Sequence, residues 1–200
     1  RRQPPPPFTT STLQQEANHK LGFSAKQTMM LSQQLYEGIE IPGEGSVGLI
    51  TYMRTDSVNL SEKFLTDVQE VIKTLYGAEA LIKSPRLYKT KSRLAQEAHE
   101  AIRPTEAGRI PDKIKKALSP QQTKLYDLIW RRAVASQMSE AVLQATTVDI
   151  PAQGTSYSLR ATGQTTDRVG WLILYPDAQR ENALPLLATG DALKLKNLDP

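Results

Sequence analysis

One change of rhythm constrains this chain more than any other feature. Up to about residue 138 the apolar residues recur at helical spacing. From about residue 141 they fall into short β-like runs, "LQATTVDIPA", "SYSLRATG", "VGWLILYP" and "ALKLKNL", with Gly, Pro and Asp between them. A bundle or a sandwich built on one period is therefore excluded. The expected class is α+β, a mainly helical domain followed by antiparallel strands. About four short strands make a small sheet, which reads as a β domain only partly present. The expected division is a linker at 1–7, a helical domain at 8–138 and a partial β-rich domain at 139–200.

Within the helical part the punctuation is regular. "RRQPPPP" cannot start a helix well and reads as extended linker. "TSTLQQEANHKLG" reads as a helix, with Thr12 and Gln15 as a capping box and Gly22 as stop. "SAKQTMMLSQQLYEG" repeats the logic from Ser24 to Gly38. Two short helices joined by "GFS" fit either a helix-turn-helix pair or an ordinary αα-hairpin. The Gly-rich turn and short strand in "EIPGEGSVGLITYMR" would complete a winged-helix layout. "LSEKFLTDVQEVIKTLYG" is an amphipathic helix capped by Ser61 and stopped by Gly77. Pro104 ends any helix in "AQEAHEAIRPT". "SPQQTKLYDLIWRRAVASQM" is the strongest helix, with Ser119 as N-cap, Pro120 at N1, and Tyr126 and Trp130 as core residues.

Composition narrows the partners. The 200 residues are 39% hydrophobic with a net charge of +4, which permits a polyanion without demanding one. Cysteine is absent, so disulfides and thiolate metal sites are excluded. No apolar run approaches the roughly 20 residues that span a bilayer, no leader is visible and no membrane role is expected. The chain begins at Arg1 and reads as a piece of something longer. Lys83, Arg86, Lys89, Lys91 and Arg93 cluster around Pro85 as a basic loop, either a solvated surface or a phosphate-contacting one.

The chemistry concentrates in "GLITYMRTDS", Gly48 to Ser57. A tyrosine is a poor nucleophile at its ordinary pKa of about 10. It becomes useful against a phosphodiester when a cation stabilises the developing charge, and an arginine fork matches phosphate oxygens. On a strand, Tyr52, Arg54 and Asp56 would share one face, with Asp56 holding Arg54. Asp56 or Ser57 would equally serve as an N-cap. The plainer alternative is a half-buried strand tyrosine beside an Arg54–Asp56 surface ion pair.

Taken together, "PPPPFTTSTLQQEANHKLGFSAKQTMMLSQQLYEG", "GLITYMRTDS" and "AQEAHEAIRPT" closely resemble the bacterial type IA DNA topoisomerase family. The helix around "YDLIWRRAVASQM" and the strands after it also resemble it, so the likeness covers nearly the whole chain. The resemblance implies that Tyr52 attacks single-stranded DNA to form a 5′-phosphotyrosyl link, that Arg54 contacts the scissile phosphate, and that Asp56 and His99 support the site. DNA contacts are expected from Arg54 by this resemblance, and from Lys89, Lys91 and Arg93 by the charge of the basic loop. The resemblance implies an ATP-independent enzyme of the bacterial cytoplasm, associated with the nucleoid, that relaxes negatively supercoiled DNA. In the family Mg²⁺ is held by an acidic Toprim domain with an Asp-x-Asp motif. No Asp-x-Asp occurs here, so the metal site is expected outside this chain, which alone would be inactive. The β-rich segment would belong to the arch that joins the tyrosine domain to the rest of the ring. The rival expectation is a stand-alone single-stranded DNA-binding module whose tyrosine only stacks on a base.

Overall fold

The computed structural model describes residues 1–88, 100–178, 182–194 and 196–197. It combines helices with small antiparallel sheets, the α+β class expected. The helices are α1 (Thr10–Leu21), α2 (Ala25–Glu37), α3 (Glu62–Tyr76), the short α4 (Pro111–Ile114) and α5 (Pro120–Ser136). A tight hairpin, β1 (Ile39–Ile41) and β2 (Gly45–Val47), follows α2, and a long one, β3 (Val142–Pro151) and β4 (Ser158–Arg168), follows α5.

The caps explain where the helices begin. Ser24 accepts the Gln27 amide, Ser61 that of Phe64, and Ser119 exchanges reciprocal bonds with Gln122. α1 starts one turn earlier than expected, on Thr9 rather than Thr12. Thr9 Oγ1 accepts the Thr12 amide and Thr12 Oγ1 accepts the Thr9 amide at 2.9 Å, so a threonine does at the third position what a glutamine would do. Gly22, at φ 70, takes the left-handed turn that ends α1.

α5 is the centre. Leu125, Tyr126, Leu128, Ile129, Trp130, Ala133 and Val134 are all buried, so the helix is covered nearly all round. α1 and α2 pack against it. The polar tips of its aromatics find partners: Trp130 Nε1 donates to the Ala107 carbonyl at 2.8 Å, and the Tyr126 hydroxyl donates to that of Arg109 at 2.8 Å.

The proline segment is docked along its length. Arg2 bridges Ala141, and Pro4 and Pro7 are buried. Proline carbonyls still need donors. Arg132 supplies one to Pro6, and the Tyr88 hydroxyl lies 3.3 Å from the Pro4 carbonyl. Arg132 pairs with Glu16 and stacks over Phe8, 4.3 Å from its ring centre.

Of the four expected β runs, "LQATTVDIPA" and "SYSLRATG" form strands, as β3 and β4. "VGWLILYP" winds into a three-ten turn, Gly170–Leu174, that buries Trp171, Leu172 and Leu174 on the helical body. Gly170 permits this: a Cβ there would stand 2.5 Å from the Glu140 carbonyl oxygen, and its φ is 51. The Trp171 amide then donates to Ser139 and its indole to Arg2. In "ALKLKNL" the described residues pair with no strand.

Burial pushes the Tyr175 phenol up to about 12, and Tyr76, Tyr88 and Tyr126 are raised by the same cause. Each stays neutral in the fold at a pH where the unfolded chain ionises, so above pH 10 the folded state binds more protons. That stability is complete below the ordinary value of 10.0 and is lost as pH climbs toward about 12. A circular-dichroism titration read beside tyrosinate absorbance should show unfolding in that window. Ionisation of every tyrosine at pH 10 with the fold intact would contradict the burial argument.

Candidate active site

Residues 48–57 are placed by three neighbours. The Leu49 amide donates to the Leu35 carbonyl at 2.7 Å, which closes the chain onto the end of α2. Gly48 permits this approach, since a Cβ there would lie 2.7 Å from the Tyr36 carbonyl oxygen. On the other side runs an extended strip, residues 101–105. Ile50 bridges Pro104, the Thr51 amide donates to Arg103 at 2.9 Å, and the Thr105 amide donates to Leu49 at 3.0 Å.

Sequence periodicity predicts that this strand continues through Arg54, and it stops at Thr51. A ladder would send the Arg103 amide to the Thr51 carbonyl. The Thr51 hydroxyl intercepts it at 3.0 Å while donating its own proton to Ala101 at 2.7 Å. The chain beyond is an irregular turn held by side chains. Its burial still alternates: Met53 and Ser57 are buried, while Tyr52, Arg54 and Asp56 are exposed. Tyr52 and Arg54 therefore share the solvent side, though no strand puts them there.

Tyr52 is 43% exposed, and its ring meets that of Tyr36 edge-on, with centroids 5.4 Å apart. Arg54 and Asp56 make no ion pair among the described residues, so the plainer surface pair is not formed. Ser57 caps no helix. Its hydroxyl accepts the Asn59 amide at 3.1 Å in a local turn, and the helix cap falls to Ser61.

His99, Lys89, Lys91 and Arg93 lie outside the described residues. Of the rest of the basic loop, Lys83 is exposed, but Arg86 is committed internally. Its guanidinium donates to the Ser136 carbonyl at 2.7 Å, at the end of α5, and to the Met138 carbonyl at 3.0 Å, just beyond it. Gln137 brackets its backbone from both sides.

The acidic groups near Tyr52 do not suit magnesium. The Glu100 carboxylate is taken by Arg103 at 2.6 Å and by the Ser61 amide. Among the described residues no three carboxylates or imidazoles converge. Sequence reasoning missed Thr10, whose hydroxyl reaches the Tyr52 turn, and Arg103, buried over Phe64. The adjacent hydroxyls in "FTTST" were the available signal for Thr10.

Replacing Arg86 by Ala should destabilise the fold by about 1–3 kcal/mol, because it strands the Met138 carbonyl and leaves the Ser136 carbonyl to the Tyr88 hydroxyl alone. It should leave the salt dependence of single-stranded DNA binding unchanged. Urea unfolding and fluorescence anisotropy at two salt concentrations check both halves.

A family model for DNA topoisomerase matches residues 1–200. DNA topoisomerase 1 of Xylella fastidiosa (strain 9a5c) is 49% identical over 207 residues, covering 99% of this chain and 25% of that relative. DNA topoisomerase 1 of Rickettsia felis is 45% identical over 206 residues, covering 100% and 26%. The structure of full-length topoisomerase I from Thermotoga maritima superposes with a TM-score of 0.80 at 36% identity, covering 93% of this chain and 29% of that one. The chain spans about a quarter of the length of the curated relatives it matches.

Proposed function

The chain belongs to the DNA topoisomerase I family, and from that membership we propose that it is the tyrosine-bearing part of a type IA enzyme that relaxes negatively supercoiled DNA. One observation carries the reading: an exposed tyrosine sits on a turn fixed from both sides, and two residues on an exposed arginine makes no ion pair among the described residues.

In this reading the Tyr52 oxygen attacks the phosphorus of a single-stranded phosphodiester. A new oxygen–phosphorus bond forms to the 5′-phosphate, the bond to the 3′ oxygen breaks, and that oxygen leaves as a hydroxyl carrying the proton Tyr52 gave up. One ester replaces another, so religation needs no ATP. Arg54 spreads the charge on the phosphoryl oxygens through its planar fork. α1, α2 and the β1–β2 hairpin form the helix-turn-helix and wing of a tyrosine domain at 8–138. Residues 139–200 contribute to the arch, and residues 1–7 lie at its joint. Asp56, His99, Lys89, Lys91 and Arg93 keep their supporting and DNA-contacting roles as parts of the proposal. Magnesium is held by residues outside this chain, in keeping with the poor fit of the acids near Tyr52. The enzyme works in the bacterial cytoplasm on the nucleoid. None of the described helices is long and apolar enough to cross a membrane.

In the full-length enzyme, Tyr52→Phe should abolish the SDS-stable adduct with end-labelled single-stranded DNA. It should shift unfolding by no more than about 1 kcal/mol, the worth of one part-exposed hydroxyl. Arg54→Lys keeps the charge and loses the fork, so cleavage should slow by about tenfold or more without vanishing. A persisting adduct in Tyr52→Phe would remove Tyr52 as the nucleophile, whereas no adduct from the unaltered full-length enzyme would favour the stand-alone binding module. The chain by itself should not relax plasmid DNA with Mg²⁺, and clear relaxation would contradict the division of labour between domains.

A further inference from the structure

The turn that presents Tyr52 and Arg54 is held from outside by one residue of α1, and we propose that Thr10 is a positioning residue for strand cleavage, setting the separation between the nucleophile and its arginine. The inference rests on the reading of Tyr52 as nucleophile. Met53, the residue between them, has its side chain buried and its carbonyl oxygen 2.8 Å from Thr10 Oγ1. The same Oγ1 accepts the Thr55 amide at 2.9 Å and lies 3.1 Å from the Thr55 carbonyl. The Thr10 amide donates to that carbonyl at 2.9 Å. One residue thus brackets Met53 to Thr55 with both its backbone and its hydroxyl.

The geometry matters because the Met53–Arg54 peptide is the link between the two exposed side chains. Its carbonyl end is pinned by Thr10. Released, the peptide is free to rotate and carry the Arg54 Cα away from Tyr52, while Met53 stays anchored in the core. Thr10 is itself well placed to hold it. It is the first residue of α1, directly after the N-cap Thr9 and inside the Thr9–Thr12 capping pair, and its branched Cβ restricts the rotamer. In-line attack tolerates little misplacement, with a shift of about 1 Å costing on the order of a hundredfold.

The test uses the full-length enzyme and an end-labelled single-stranded oligonucleotide. Single-turnover adduct formation at saturating DNA is measured beside affinity by anisotropy and a thermal melt. Thr10→Val keeps the shape and removes the hydroxyl. It should slow adduct formation by about 10- to 100-fold while affinity stays within about twofold, the split expected when only the transition-state arrangement is lost. Thr10→Ser restores the hydroxyl and should recover most of the rate. Thr10→Cys, a weaker donor of similar size, should fall between and keeps the test open if the valine variant does not fold. A full rate in Thr10→Val or Thr10→Cys, or a serine variant as slow as the valine one, overturns the inference. Tyr52→Phe runs alongside. An adduct that survives there overturns the nucleophile reading and this inference with it, whereas an adduct lost there but formed at full rate in Thr10→Val overturns this inference alone.

Discussion

The extended strip from Ala101 to Thr105 is what the site is hung on. Its Ile102 amide donates to Phe8 on one side, and it pairs with Leu49 and Thr51 on the other. The Ala101 amide donates to Asn59, beyond the Tyr52 turn. At its middle Arg103 is buried, and a buried guanidinium must find partners for its donors. It finds Glu100, the carbonyls of Pro104 and Thr105 and the Ser61 hydroxyl, with the Phe64 ring beneath. Ser61 is also the N-cap of α3. The start of α1, the start of α3 and the tyrosine turn are therefore tied through one buried cation and one strip of backbone.

That arrangement explains how Tyr52 is both exposed and fixed. A regular strand would have saturated the backbone of residues 51–55 against a neighbour and left little room for a polyanion to approach. Threonine hydroxyls do the fixing instead, Thr51 at the near end and Thr10 at the far end. Each satisfies backbone groups without extending the ladder. Met53 supplies the apolar anchor between them. The result is an irregular turn pinned at the Met53 and Thr55 carbonyls and the Thr51 and Thr55 amides, whose Tyr52 and Arg54 side chains stay in solvent.

The two ends of the long hairpin share one footing. Arg2 pairs with Ala141 just before β3, and Trp171 just after β4 donates its indole to the Arg2 carbonyl. The guanidinium of Arg2 lies 5.5 Å from the centre of the Trp171 ring. Most residues of β3 and β4 are at least partly exposed, so the hairpin is held chiefly at its base.

Helix starts and stops were legible because their causes are local. Ser24, Ser61 and Ser119 each bond an amide three residues on, and Gly22, Gly38 and Gly77 end helices by their own backbone freedom. The shared exposure of Tyr52 and Arg54 was legible too, since it followed the alternation of the sequence. What the sequence by itself could not settle were the choices that depend on distant partners. "VGWLILYP" has the composition of a strand, and it winds into a helical turn because the base of the hairpin offers Trp171 a buried place and Gly170 lets the chain reach it. Arg86 belongs by composition to a basic loop, yet it serves carbonyls 50 and 52 residues away. Thr10 reaches carbonyls 43 and 45 residues away. A side chain's composition limits what it can bond, but which free carbonyl it meets is decided only when the chain has folded and left that carbonyl without another donor.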